Sequence, residues 1–242
     1  MDKNYDAIIS HIDSMKDNTF DSRVSFFIKE IRALSLPKTI KATRLVIEEM
    51  SEKKGFVRHD GRDYFVHPIA VAQTALDFDL MKNNDTKTAD IILATCLLHD
   101  ILEDVKTITP EMIREQFGLE VMINVDNVSK REGEDFIDYI DRFSSRKESA
   151  LVKIIDRLNN VATLSNSTLE HRKRQLEETR KVYLPLTKVF RRTYWEDGNF
   201  YYQARFFMTS LLSEIERGII AEEALLELQK QNKELRLDEK NK

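Results

Sequence analysis

Residues Ile91–Leu98 read Ile-Ile-Leu-Ala-Thr-Cys-Leu-Leu and run directly into His99-Asp100-Ile101-Leu102-Glu103-Asp104. The apolar stretch is far short of the ~20 residues that span a bilayer, and it is too apolar to lie in water. It therefore predicts a core helix, placed here at Ala89–Asp104. A buried helix that ends on three acids and a histidine crowds charge where charge is costly, so protons or a divalent cation must neutralise it. Glu103 follows His99 by one turn and Asp104 follows Asp100 by one turn, so each pair shares a face. Metal ligands on one turn and acid–base groups on the next are what a metal hydrolase needs.

The remaining chain must build a core around that helix. With 6 Gly, 4 Pro and 33% charged residues in 242, it favours helices joined by short loops. Residues 1–22 read as a weak helix, and Val24–Leu34 and Ile40–Lys53 show helical spacing with Pro37 as the break. Gly55–Tyr64 is a loop, Pro68 opens a helix through Phe78, and Asp85–Lys87 is a turn. Thr109-Pro110-Glu111 is a cap followed by a first-position proline, and that helix ends near Gly118. Glu120–Val128 is helical or extended. Arg131–Asp135 is a polar turn before helices at Phe136–Phe143 and Ser149–Leu164. After the polar break Ser165–Thr168, Glu170–Thr193 is a long helix interrupted by Pro185, with a charge-rich, solvated face at Glu170–Lys181. Past Asp197-Gly198-Asn199, Phe200–Glu216 and Ala221–Leu237 are two more helices, with a fraying tail at Asp238–Lys242. There is no internal repeat, no low-complexity linker and no convincing strand, so the fold class is all-α. Residues 1–193 form the catalytic domain, and 194–242 form a helical extension packed on the core or on a partner.

The net charge of −4 gives no global argument for nucleic acid or an anionic membrane. A phosphate-rich substrate would have to be held by local groups and a metal. The one cysteine, Cys96, excludes an intrachain disulfide and reads as a small core residue. Met1–Ser10 lacks the apolar core of a signal peptide, so a cytoplasmic location is the expectation.

Two further segments carry chemistry. His67 precedes Pro68, which places its imidazole at a helix N-terminus. Asp156 lies among the core positions Leu151, Ile154, Ile155, Leu158 and Val161, with Asn160 one turn on. Each is bland alone: a His-Asp pair is generic, Asp156-Arg157 is an ordinary surface ion pair, and His67 is a helix cap. Together, two imidazoles and two carboxylates form an N/O set suited to Mn²⁺, Fe²⁺ or Zn²⁺, without a thiolate to favour zinc.

At this point the chain resembles the HD hydrolase domain of the RelA/SpoT homologues, and within them the stand-alone small alarmone hydrolases. The matching strings are Gly61–Ala72 around Tyr64 and His67-Pro68, Leu97–Asp104, and Phe117-Gly118 followed by Val125–Lys130. Val152–Asn160 and Glu177–Leu186 complete the set, in family order over roughly residues 40–190. The Glu-Asp doublet, the tyrosine–His-Pro string and the Asp-x-Val-x-Lys string are more specific than the His-Asp pair.

The resemblance implies an HD-domain helical bundle with extra C-terminal helices. It implies that His67, His99, Asp100 and Asp156 hold one Mn²⁺, and that Glu103 and Asp104 position and activate water. It places Arg58 and His59 on the purine and its phosphates, with His59 standing where lysine is usual. Asn160 and Thr163 contact the nucleoside, and Arg44 and Lys130 contact phosphate or brace a loop. Arg157 orients Asp156 or pairs structurally. Asn159 stands where histidine is common and is not a ligand in the pattern. Asn127 replaces a glycine, and asparagine can keep a left-handed turn there. The stand-alone reading rests on residues 194–242, which hold helices and no Gly-rich or strand-rich segment.

The implied activity is removal of the 3′-pyrophosphate from (p)ppGpp, giving GDP or GTP and pyrophosphate, with ppApp as a second purine substrate. Three alternatives stay open. One is an antitoxin that uses the same activity against the product of a cognate small alarmone synthetase toxin, or against a pyrophosphorylated tRNA 3′ end. Another is a generic HD nucleotidase or phosphodiesterase. The third is a binding module with a dead site, against which the intact ligand set and Glu-Asp doublet argue. Oligomeric state is open.

Overall fold

The computed structural model of the chain describes residues 20–58, 61–78 and 84–240. In order, the helices are α1 (Phe20–Ala33), α2 (Pro37–Glu49), α3 (Val66–Asp77), α4 (Thr86–Leu98), α5 (Ile101–Asp104) and α6 (Pro110–Phe117). Next come α7 (Leu119–Val128), α8 (Phe136–Ser144), α9 (Lys147–Ala162), α10 (Leu169–Glu178), α11 (Leu184–Thr193) and α12 (Gly198–Lys240). Among the described residues there is no strand, only an isolated bridge between Val57 and Asp63.

Helix α4 is the axis because its sequence leaves it no alternative. All ten residues from Ala89 to Leu98 are buried, and a helix apolar around its whole circumference must have neighbours on every side. Helices α2, α3, α7 and α9 supply them. The ends of the helices have local causes. Asp85 caps α4 by accepting the Thr88 N–H at 2.7 Å. Thr109 caps α6 with Pro110 at its first position, as expected. Helix α2 is preceded by Leu36, which has no capping oxygen, and its cap comes from α4 instead. The buried Asp90 carboxylate accepts the N–H groups of Lys38 and Thr39 at 3.0 and 2.8 Å and the Thr39 hydroxyl at 2.7 Å.

Several expectations change. Pro37 opens α2 rather than merely breaking the chain, because proline suits a first helical turn that lacks donors to satisfy. For the same reason Pro68 is tolerated as the third residue of α3, so His67 sits inside the first turn of that helix. Residues Thr86 and Lys87 are helical, the turn being Asp85 alone. The helix expected at Ala89–Asp104 ends at Leu98, and α5 restarts at Ile101. Residues 119–128 are helical throughout. Asn127 therefore needs no left-handed turn: Ser35 is the one described non-glycine residue with positive φ, and the Asn127 amide donates to Ser149 instead.

The interruption before Pro185 is a π-helical stretch, Thr179–Tyr183; proline has no N–H to donate and crowds the preceding turn. The two expected C-terminal helices are one, Gly198–Lys240, because Gly218 costs a helix only ~1 kcal/mol and does not stop it. That helix buries Phe200, Tyr201, Ala204, Met208, Leu212 and Ile219. Arg180 and Arg172 pair with its Glu216 and Glu222, while Leu225, Leu226 and Leu228 farther along are exposed. The expected helix over residues 1–22 lies outside the described residues except for its last three positions. No helix among the described residues is long and apolar enough to cross a membrane.

Candidate active site

Three helices deliver the central cluster. The first turn of α3 brings His67, the end of α4 brings His99 and Asp100, and the middle of α9 brings Asp156. His99 Nε2 lies 3.1 Å from Asp100 Oδ2 and 3.5 Å from Asp156 Oδ1. His67 Nε2 lies 3.2 Å from Asp156 Oδ1 and 3.7 Å from Asp100 Oδ2. His67, His99 and Asp100 are also the group among the described residues whose ligand atoms gather closely enough for one metal ion.

Both imidazoles are turned by their outer nitrogens. His99 Nδ1 donates to the Cys96 carbonyl at 2.7 Å, and a carbonyl can only accept, so Nε2 is the free nitrogen facing inward. His67 Nδ1 bonds Asn159 Oδ1 at 2.9 Å, which likewise turns Nε2 inward. Asn159 is thus a partner of the site although it is no ligand. The carboxylates are braced as well. The Tyr64 hydroxyl donates to Asp100 Oδ2 at 2.8 Å. Asn160 donates to Asp156 Oδ1 at 2.7 Å, and the buried Lys153 ammonium lies 3.2 Å from Asp156 Oδ2. Tyr64, Lys153 and Asn159 are the residues that sequence reasoning quoted in its strings without a role.

The charges of the cluster act on one another. Burial pushes His99 down, yet Asp100 and Asp156 outweigh it and hold the imidazole well above its ordinary range. Burial pushes Asp156 up, yet Lys153 and the histidines hold it well below the carboxylate range. His99 Nε2 is wholly buried and faces the two carboxylates without a well-aligned hydrogen bond to either. An inward-facing imidazole nitrogen set between two carboxylates fits a divalent cation.

Beyond the cluster, Glu103 Oε1 accepts the Lys130 N–H at 2.7 Å. Desolvation raises both Glu103 and Asp104 above the usual carboxylate range, with neighbouring acids adding to it. Asp104 lies beside Tyr64 and Asp100 and is the more open of the two. A cavity of about 480 Å³ opens over the cluster and is walled by Arg58, Lys130, Lys153, Asn160 and Thr163, among others. That volume suits a small ligand. Arg58 reaches the Thr163 hydroxyl at 3.5 Å, and the Lys130 ammonium stands over the Phe136 ring. Arg157 does not orient Asp156; it stacks 3.9 Å over Tyr183 and pairs with Glu178 at 2.8 Å, the structural half of its expectation. Arg44 is exposed on α2 and is not part of the cavity wall. His59 lies outside the described residues.

The HD-domain family model matches residues 42–189 of the chain. The guanosine-3′,5′-bis(diphosphate) 3′-pyrophosphohydrolase of Haemophilus influenzae is 31% identical over 144 residues, which is 55% of this chain and 20% of that protein. The enzyme of the same name from Aquifex aeolicus is 32% identical over 154 residues, 60% of this chain and 20% of its own length. The bifunctional (p)ppGpp synthase/hydrolase SpoT of Escherichia coli is 30% identical over 160 residues, 62% of this chain and 21% of its own. The chain thus spans about a fifth of the length of the curated relatives it matches. Among solved structures, a metazoan orthologue of SpoT that hydrolyses ppGpp superposes with a TM-score of 0.51 at 19% identity, covering 75% of this chain and 94% of that one. At that identity the likeness is one of fold.

Proposed function

The chain belongs to the HD-domain family, and from that premise we propose that it is a metal-dependent pyrophosphohydrolase acting on guanosine alarmones. It would remove the 3′-pyrophosphate of (p)ppGpp and leave GDP or GTP. The observation that carries this reading is the convergence of His67 and His99 Nε2 on the Asp100 and Asp156 carboxylates, with the Glu103-Asp104 doublet beside them. The names of the relatives give the substrate class.

His67, His99, Asp100 and Asp156 would hold the ion, and an N/O donor set without thiolate suits Mn²⁺, with Fe²⁺ or Zn²⁺ as alternatives. When bound, the ion supplies a Lewis acid that polarises a phosphoryl oxygen and lowers the pKa of water. The chain's own groups do the rest. Glu103 and Asp104 are stronger bases than free carboxylates because of their desolvation, so they take a proton from the attacking water. The water oxygen bonds to the phosphorus on the ribose 3′-oxygen, the bond between them breaks, and the ribose oxygen gains a proton. Arg58 would stack on the purine, Lys130 would meet phosphate, and Asn160 and Thr163 would touch the nucleoside.

The test is turnover of ppGpp by the metal-stripped chain with and without added Mn²⁺, with pyrophosphate followed as product. Mn²⁺-dependent release of pyrophosphate is expected. Release of single phosphates would replace this reading with that of a generic HD phosphatase.

A further inference from the structure

Helices α11 and α12 flank a second, open cavity of about 470 Å³ that shares no lining residue with the catalytic one. Its wall includes Lys188, Arg191, Arg192, Arg205, Tyr201 and Tyr202, and no acidic residue among the described ones lines it. In a chain of net charge −4, four cations without an acid in one concavity are a local reversal of sign, and concavity focuses their field.

Ordinary structural roles account for part of this set. Arg191 and Arg192 sit in the last turn of α11, where the helix dipole favours cations. That does not explain Lys188 a turn earlier. Arg205, on the facing helix, gives one N–H to the Leu184 carbonyl at 2.6 Å and has further donors in its fork. No carboxylate pairs with Lys188, Arg191 or Arg192 among the described residues. Two tyrosines complete the wall. Tyr202 is half exposed with the Arg191 guanidinium 5.0 Å from its ring. Tyr201 is fully buried, with its hydroxyl near Asp197, Tyr194 and Glu148 on the side away from the cations, so it contributes its ring to the wall.

Guanidinium forks match phosphate oxygens in pairs, a tyrosine face accepts a base, and the volume is that of a small-ligand pocket. We propose that this cavity binds a small polyphosphate, either free pyrophosphate or a nucleoside polyphosphate, at a site separate from the catalytic cavity.

Equilibrium dialysis of the full chain against labelled pyrophosphate and against GTP, at low and high salt, tests it. The variants are K188Q/R191Q/R192Q and, for the catalytic cavity, Arg58→Ala. Wild type should bind at two sites, both weakened by salt. The triple variant should weaken one of them roughly tenfold or more, since three exposed cations leave its wall. Arg58→Ala should weaken the other. If pyrophosphate and GTP both lose that site, it reads the phosphate chain alone; if GTP alone does, it reads a nucleotide. Binding of both ligands by the triple variant with wild-type stoichiometry and affinity overturns the proposal. The three substituted residues are exposed, so the fold should hold. If thermal melts show otherwise, the single variant Lys188→Gln is read the same way.

Discussion

Helix α4 carries a buried ionisable group near each end, and the two are treated in opposite ways. At its start, the Asp90 carboxylate receives three hydrogen bonds, two of them from the first N–H groups of α2. At its end, His99 Nε2 makes no well-aligned hydrogen bond and faces two carboxylates within 3.5 Å. Burial is equal, at 5% and 1% exposed, so burial does not separate them. What separates them is satisfaction. A buried polar group with its bonds complete is part of the scaffold, and one left incomplete beside three other metal-type donors is suited to a ligand.

The largest expected effect breaks the incomplete end. His99→Ala should lose bound metal by elemental analysis, and its turnover should fall by more than the roughly 100-fold typical of an outer-shell partner. Full metal content in that variant would remove the ion from this cluster. Next come Glu103→Gln and Asp104→Asn, which leave the cluster itself intact. They should keep metal and substrate binding and lose roughly 10²–10⁴-fold in kcat. A rise confined to KM would make them contact groups, not proton acceptors.

The satisfied end predicts the reverse pattern. Asp90→Ala strips the cap of α2 and leaves its N–H groups buried without partners. It should cost about 2–3 kcal/mol of unfolding free energy, given the value of hydrogen bonds to a charged acceptor, while turnover per folded molecule is kept. Chemical denaturation followed by circular dichroism reads the first quantity and a Mn²⁺ assay reads the second. Loss of activity without loss of stability would mean that Asp90 belongs to the site after all.

The same contrast explains what could be read from the sequence. The all-apolar stretch Ile91–Leu98 and its charged end were legible because both signals are local, as was the Thr109-Pro110 cap. The convergence of His67, His99, Asp100 and Asp156 came from the family resemblance and not from spacing, since three separate helices bring them together. The bonds that finish either end of α4 were invisible. Asp90 caps a helix 51 and 52 positions away, and Asn159 turns an imidazole 92 positions away. No periodicity encodes such a pairing. Lys153 sits three positions before Asp156 on α9, so its spacing was available. It passed unremarked because a lysine in a helix usually faces water, whereas here the carboxylate keeps it in the core.

The smallest effect lies in α12, where the sequence suggested a break that the structure lacks. Gly218 is exposed in mid-helix with negative φ, and a Cβ built there meets nothing within 4 Å. Alanine would therefore bring no clash and no strain, and it would narrow the conformations open to the unfolded chain. If α12 is continuous in solution, Gly218→Ala should raise stability by about 0.5–1 kcal/mol, the ordinary difference between the two residues inside a helix. If the helix instead divides near Gly218, as its residue type invites, alanine would force helix where a hinge is needed and the gain would vanish or change sign. Denaturation midpoints of the two proteins decide between these. Turnover should not change in either case, because Gly218 lines neither cavity.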